Sequence, residues 1–334
     1  MRIVNGFLSS KLPLLIVLVG VCTYFSPIYW NAPSWVPGLL LGIVIFFTGL
    51  SMNITAIKGI RTKKRELIIA TLLKWTLTVL VSITLAYLLF SSQPEIAAGF
   101  ILSGTVPSAT AATLYTFLAG GNTALVIASS LIDIAISPIV TPLSMLGLSG
   151  NPVSISFFSL IQSFFFIVIL PLGLGLSIQR LFPKLIIHSK SITSFGSSLS
   201  LLIIIHTIVG DGTKAIGNAI GTLPLIVLAT IIQVVFPMLA AYYIAKRLSI
   251  VEEDARAILF QVGLCNTALA AILAFEFIGE IAAIAPIVNM IVNLSVGSLI
   301  ANYFIKKDRI ESEDLDCIVH DKTSFHSTKV LIKD

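Results

Sequence analysis

Long apolar stretches separated by short polar connections dominate this chain. A helix needs about 17–25 apolar residues to cross a bilayer, and the sequence contains ten stretches of this kind. They cover approximately residues 12–30, 36–55, 66–90, 95–118, 123–147, 153–180, 194–212, 220–246, 255–277 and 280–304. The pattern predicts an all-α polytopic membrane protein with ten transmembrane helices.

The composition agrees with a membrane protein. Of the 334 residues, 56% are hydrophobic and only 11% are charged, whereas a soluble globular protein has about 25% charged residues. The three cysteines, Cys22, Cys265 and Cys317, lack the spacing of a metal site or a disulfide framework. We therefore expect no metal and no cofactor.

The positive charges are distributed unevenly around the predicted spans. If the spans alternate in direction, 19 of the 21 Lys and Arg residues fall on one side, and cytoplasmic loops are the ones enriched in these residues. Of the other two, Lys214 falls on the opposite side and Lys74 lies inside span 3. We expect a cell (inner or plasma) membrane protein with both termini in the cytoplasm. The net charge of +5 then reflects topology rather than nucleic-acid binding.

Ten spans divide into two halves of five. Because five is odd, the second half enters the membrane inverted relative to the first, which is the architecture of inverted-repeat transporters. We assign residues 1–150 to the first five-helix repeat, 151–305 to the second, inverted repeat and 306–334 to a polar cytoplasmic tail.

Small and polar residues interrupt the fourth span of each half, at 104–113 in span 4 and at 261–267 in span 9. Pro107 lacks a backbone N–H and Gly263 tolerates non-helical dihedral angles, so we predict that both helices break at these residues. Non-helical backbone at membrane depth persists where it is buried in protein or lines a cavity. A proline kink in a continuous helix is the alternative at Pro107, but matching interruptions in both halves favour a binding site.

Two charged residues lie inside the apolar spans, Lys74 in span 3 and Asp133 in span 5. A charge at mid-bilayer costs about 2.5–3.5 kcal/mol on insertion scales and marks a functional site by default. Both residues lie near the plane of the helix breaks, so they either form a direct ion pair or share a polar centre. Alternatively, Lys74 extends its ammonium to the cytoplasmic interface, and Asp133 accepts from hydroxyl groups such as those of Ser129 or Ser130.

With these motifs the sequence resembles the bile acid:sodium symporter family and its bacterial pantoate/pantothenate-transporter-like members. The resemblance covers roughly residues 10–305 and rests on the stretches 47–50, 105–125, 137–142 and 262–270. It implies that spans 4 and 9 are broken helices that cross each other in a core domain beside a panel domain. Sodium ions would bind behind the crossover and an organic anion in front of it.

The resemblance also implies positions for two sodium sites. The first would use Ala112, Thr113, Val126, Ser130 and Gln261. Two of these side chains have no oxygen, and the glutamate usual in the family is the neutral Gln261. The second site would use Gln261 with Lys74 and Cys265, which replace two glutamines. The resemblance thus implies that the Lys74 ammonium takes the place of a sodium ion, with Asp133 balancing its charge.

Thr110, Asn266 and Asn293 match polar positions of the family near its substrate. In front of the crossover, helix N-termini provide unpaired backbone N–H groups that bind anions. Interhelical hydrogen bonding is the alternative for Asn266, and it is the favoured interpretation for Asn289 and Asn293.

The sequence therefore predicts a secondary active transporter that moves a small organic anion, such as pantoate or a related hydroxy or keto acid, by alternating access. With both sodium sites altered, transport is expected to be sodium-independent, either coupled to protons or facilitated. A conventional sodium-coupled organic anion or bile acid symporter is the alternative, and a channel or an intramembrane enzyme ranks below it. An enzyme would need an activated nucleophile, paired aspartates or a metal cluster, and the spans offer none of these patterns.

Overall fold

A computed structural model of the protein describes residues 2–26, 29–30, 32–33, 35–52, 62–146, 157–182 and 186–330. Within these residues the regular secondary structure is helical, apart from one isolated β-bridge. The helices are α1 (Arg2–Phe25), α2 (Trp35–Ser51), α3 (Lys64–Leu73), α4 (Val79–Phe90), α5 (Pro94–Thr105), α6 (Thr110–Leu118), α7 (Thr123–Leu146), α8 (Phe157–Phe164), α9 (Leu170–Leu181), α10 (Ile186–Asp211), α11 (Thr213–Asn218), α12 (Leu223–Arg247), α13 (Glu252–Gly263), α14 (Thr267–Phe277) and α15 (Glu280–Val330). A π-helical segment, Lys74–Thr78, joins α3 to α4, and another, Phe165–Ile169, joins α8 to α9.

Five helical stretches are long and apolar enough to cross a membrane: Lys64–Phe90, Thr123–Met145, Phe158–Leu181, Ile220–Arg247 and Glu280–Ile310. Four shorter helices are also apolar: Leu14–Phe25, Trp35–Ser51, Phe195–Asp211 and Thr267–Phe277. Many large apolar side chains on these helices are exposed, as a lipid environment permits. The chain is therefore an all-α, multi-pass membrane protein. The count of ten spans remains a prediction, and the predicted repeat boundary at residue 150 lies outside the described residues.

The helices pack as two groups. In one group α2 packs against α9 and α10, and α1 packs against α10. In the other, α12 packs against α13 and α15, and α5 packs against α4 and α15. Small residues permit α2 and α9 to approach closely in the first group, because a Cβ atom on Gly49 would lie 2.6 Å from the carbonyl oxygen of Leu172. Close backbone packing at small residues is typical of helix interfaces in membranes.

The last helix, α15, continues beyond the predicted end of span 10 at residue 304 and runs to Val330. In this continuation, Asp308 accepts two hydrogen bonds from Arg256, at 2.6 and 2.7 Å. The segment predicted as a polar tail therefore begins as part of a helix that contacts the body of the protein.

Candidate functional site

Two helices are interrupted where the sequence changes from apolar to small and polar residues. The linker 106–109 separates α5 from α6, and the linker 264–266 separates α13 from α14. Pro107 lies inside the first linker, so the interruption there is a break in the helix and not a kink in a continuous one. We call the two linkers together the crossover.

The two linkers are hydrogen-bonded to each other. The Ala109 N–H donates to the Leu264 carbonyl at 2.8 Å, and the Asn266 N–H donates to the Pro107 carbonyl at 2.8 Å. These bonds flank the antiparallel bridge between residues 108 and 265. They satisfy, inside the protein, backbone groups that would be costly to leave unpaired at membrane depth.

Gly263 lies directly before the second linker, where α12 packs closely against α13. It is the last residue of α13 and lies just before the break, and in the described part of the chain the glycines with positive φ are Gly120 and Gly279. A Cβ atom on Gly263 would lie 1.7 Å from the Cγ of Met238 on α12. The close approach of α12 therefore accounts for a glycine at the last residue of α13, and the predicted helix break begins at the next residue.

Lys74 is fully buried and opens the π-helical segment 74–78. Its ammonium donates to the Cys265 thiol, with 2.6 Å between Nζ and Sγ. The side chain therefore points to the crossover and not to a membrane interface. No ion pair joins Lys74 to Asp133, although both belong to the described residues.

Asp133 of α7 is fully buried and accepts hydrogen bonds from three other segments. Trp75 Nε1 donates to Oδ1 at 2.8 Å, and Gln261 Nε2 donates to Oδ2 at 2.7 Å. Ser108 donates to Oδ2 through its hydroxyl and, at 3.4 Å, through its backbone N–H. The hydroxyl partner is thus Ser108 of the crossover, whereas the sequence suggested Ser129 or Ser130.

The other positions matched to the first sodium site are only partly brought together. Ser130 donates to Gln261 Oε1 at 3.3 Å, whereas Thr113 is half-buried and makes no side-chain hydrogen bond to either of them within the described residues. Ala112 and Val126 are fully buried. Gln261 is oriented by its own donation to the Ser108 hydroxyl at 2.6 Å.

The three residues matched to the substrate site differ in their exposure and hydrogen-bond partners. Thr110 is exposed at the first position of α6. The Asn266 side chain caps α14 by accepting from the Leu269 N–H at 3.3 Å, so its hydrogen bond is local and not interhelical. Asn293 donates from α15 to the Cys265 carbonyl at 3.1 Å, and its Oδ1 has no partner among the described residues.

A second buried polar cluster, of Ser82, Gln233 and Asn289, lies beside the crossover helices. Gln233 Nε2 donates to the Ser82 hydroxyl and to the Phe100 carbonyl, both at 2.8 Å. Asn289 donates to Gln233 Oε1 at 2.7 Å. These bonds join α4, α5, α12 and α15, so the packing interpretation of Asn289 is confirmed.

Charged residues meet at the end of the molecule where α13 begins. Asp254 is only 1% exposed and accepts from the Lys63 ammonium and from Asn122 Nδ2, the latter at 2.7 Å. Arg256 donates to Asp308, to the Ala119 carbonyl at 2.7 Å and to Glu252 at 3.0 Å. We call this group the charged end; it ties the turn between α6 and α7 to α13 and α15.

The sequence pointed to Lys74, Asp133 and Gln261, but not to Trp75 and Ser108. Both missed residues directly follow a residue that the sequence singled out, Lys74 in one case and Pro107 in the other. An indole N–H next to an intramembrane charge, and a hydroxyl next to a helix break, are the signals that could have identified them.

The model of the sodium bile acid symporter family matches residues 38–219, more than half of the chain. The chain belongs to this family. YocS of Bacillus subtilis (strain 168), named as an uncharacterized sodium-dependent transporter, is 28% identical over 306 residues, which are 92% of this chain and 94% of YocS. The probable sodium/metabolite cotransporter BASS1, chloroplastic, of Arabidopsis thaliana is 25% identical over 292 residues, 86% of this chain and 71% of that protein. Membership in this family and the names of the relatives indicate a membrane transport protein and not an enzyme.

Proposed function

We propose that this symporter-family member is a secondary active transporter for a small organic anion in which the tethered Lys74 ammonium takes the place of a sodium ion. One observation carries the proposal: Lys74 is fully buried, with its Nζ 2.6 Å from Cys265 in the crossover. Transport is then independent of sodium, and is either coupled to protons or facilitated.

The chemistry of the surrounding groups supports the loss of sodium. Sodium is a hard cation that prefers several oxygen ligands, whereas a thiol is a soft ligand. A fixed ammonium next to Cys265 repels a second cation at the same place. The Gln261 Nε2 group, not its oxygen, faces Ser108 and Asp133, and Ala112 and Val126 contribute no side-chain oxygen.

The two short helices that follow the crossover support an anionic substrate. Both α6 and α14 begin at the crossover, and the N-terminus of a helix presents free N–H groups and a partial positive charge. Thr110 is exposed at the start of α6, Asn266 is the last residue of the second linker, and Asn293 donates to the Cys265 carbonyl of that linker. We assign these three residues to the substrate site, with pantoate and related hydroxy or keto acids as first candidates.

The proposal includes alternating access between two inverted five-helix repeats, with ten spans and both termini on the cytoplasmic side of a cell membrane. The second packing group, which holds the crossover, corresponds to a core. The first group, α1, α2, α9 and α10, corresponds to a panel. Movement of one group against the other would expose the crossover to each side in turn.

A conventional sodium-coupled symporter is the second candidate. The names of the relatives favour it, since YocS is named sodium-dependent and BASS1 a probable sodium/metabolite cotransporter. In that case oxygens other than the matched positions would bind sodium.

The thermal stability of the detergent-purified protein separates the two candidates without a known substrate. A ligand that binds only the folded state raises the melting temperature in proportion to RT ln(1 + [L]/Kd). We expect the same Tm in sodium chloride and in choline chloride at equal ionic strength, and a lower Tm for Lys74→Gln than for the wild type. A clear rise of the wild-type Tm in sodium would contradict the proposal and favour the conventional symporter.

Uptake into proteoliposomes tests the transport itself. Labelled pantoate is the first probe, with a sodium gradient, a proton gradient or neither imposed across the membrane. The proposal expects uptake that a sodium gradient leaves unchanged at fixed pH and osmolarity. Strong stimulation by sodium would exclude both the proton-coupled and the facilitated version.

A further inference from the structure

The Asp133 carboxylate is the point where four segments of the molecule meet. It projects from α7 and accepts from Trp75 in the π-helical segment, from Ser108 in the first linker and from Gln261 on α13. Its side chain is fully buried, and Gln261 is only 1% exposed. Each of the three partners comes from a different segment, so the carboxylate holds these segments to α7.

The groups around Asp133 suit an ionised carboxylate. The indole N–H of Trp75 and the backbone N–H of Ser108 can only donate, and an ionised carboxylate can only accept. Hydrogen bonds to a charged group are about twice as strong as those between neutral groups. A cation site gathers oxygen acceptors around a positive charge, whereas this site gathers donors around a negative one.

Burial on α7 does not by itself provide such partners. The hydroxyl of Ser129, on the same helix, is also fully buried, yet it has no hydrogen-bond partner in the described part of the chain. Burial alone therefore does not account for the three donors that converge on Asp133. Ser129 offers a matched control, because it is buried in the same helix without taking part in the network.

We propose that Asp133 is a positioning residue. By accepting hydrogen bonds it holds the first linker against α13 and the π-helical segment, and no bound cation is needed to join them. Through Ser108 it sets the linker immediately before Thr110, the first residue of α6. The orientation of the α6 N-terminus toward a substrate then depends on Asp133. This role does not depend on whether Lys74 replaces sodium.

Trp75 provides a spectroscopic test of this role. The chain has three tryptophans, so Trp30→Phe and Trp35→Phe together leave Trp75 as the single reporter. In that background, Asp133→Asn replaces one acceptor oxygen with a donor amide. We expect a shifted Trp75 emission maximum and a Tm lower by several degrees, while Ser129→Ala changes neither. An unchanged emission maximum and Tm in Asp133→Asn would overturn the proposal.

A double-mutant cycle tests whether Asp133 acts through its partners. Asp133→Ala and Gln261→Ala are expected to lower the Tm by less together than the sum of their separate effects, because both remove the same bond. Additive effects would overturn the proposal. If Asp133 variants do not fold, Ser108→Ala in the single-tryptophan background still tests it: a shift of Trp75 emission supports the shared network, and no shift contradicts it.

Discussion

The Lys74 ammonium and the Cys265 thiol lie 191 residues apart in the sequence and 2.6 Å apart in space. This contact joins the π-helical segment after α3 to the linker between α13 and α14. An ammonium has three donors and a thiol is a weak acceptor, so the partner of this buried charge is an unusual one. The stability of the crossover should therefore respond sharply to changes at either residue.

We expect Cys265→Ala to lower the free energy of unfolding by about 1–3 kcal/mol, because it leaves a buried donor without its partner. Adding Lys74→Met to the same protein should recover part of this loss, since the unpaired charge is then removed as well. Thermal unfolding in detergent measures both effects. Cys22→Ala is the control, because Cys22 is exposed. A double variant less stable than Cys265→Ala would contradict the assignment.

Gly263→Ala should destabilise the protein by about 1–3 kcal/mol, the usual cost of overpacking a core. The new Cβ atom would lie 1.7 Å from Met238 Cγ, so Met238 must move or α12 must shift. Combining it with Met238→Ala should relieve the clash. Gly173→Ala is the matched control on α9, because its Cβ would meet no atom within 4 Å, and alanine favours a helix over glycine by roughly 0.5–1 kcal/mol.

Asp254→Asn should lower the unfolding free energy by about 1–3 kcal/mol, since it removes the charge that pairs with Lys63 and leaves a buried polar network incomplete. Glu253→Gln is the comparison, because Glu253 is the neighbouring acidic residue and is exposed. Both variants neutralise one carboxylate in the first turn of α13, so any helix-dipole effect is similar. Equal stability of the two variants would show that the Asp254 contacts contribute little.

The charged end should also make stability depend on pH. Burial acts to raise the pKa of Glu252, but hydrogen bonds from Lys246, Tyr242 and Arg256 outweigh it and lower the pKa to about 2. A lowered pKa stabilises the folded state above the unfolded value, and this stabilisation is lost as pH falls through the folded value. The Tm advantage of the wild type over Glu252→Gln should therefore shrink between pH 4.5 and about 2.

Lys63 makes stability depend on pH in the opposite direction, so that stabilisation is lost at alkaline pH. The hydrogen bond to Asp254 raises the pKa of Lys63 above its ordinary value of 10.5, against the opposing effect of desolvation. Its stabilisation is complete below pH 10.5 and is lost as pH rises through the raised pKa. We expect the Tm difference between the wild type and Lys63→Met to remain constant from neutral pH to about 10, and then to decrease. A difference that grows with alkaline pH would contradict the pairing.

The class of the protein and the positions of its unusual residues can be predicted without any structure. Runs of apolar residues predict membrane helices because the bilayer requires a fixed length of apolar helix. The interruptions around Pro107 and before Thr267 were visible because polar and helix-breaking residues stand out in such runs. Lys74 and Asp133 stood out for the same reason, since a charge inside an apolar span is costly.

Which of these residues contact one another depends on how the helices pack, and the sequence pattern does not reveal it. The helical period relates residues on one helix, but it carries no information about the rotation and depth of a second helix packed against it. In the structure, Lys74 contacts Cys265 and not Asp133. Asp133 contacts Trp75 and Ser108 instead. The close approach of α12 to Gly263 is likewise a contact between separate helices, which the sequence pattern does not predict.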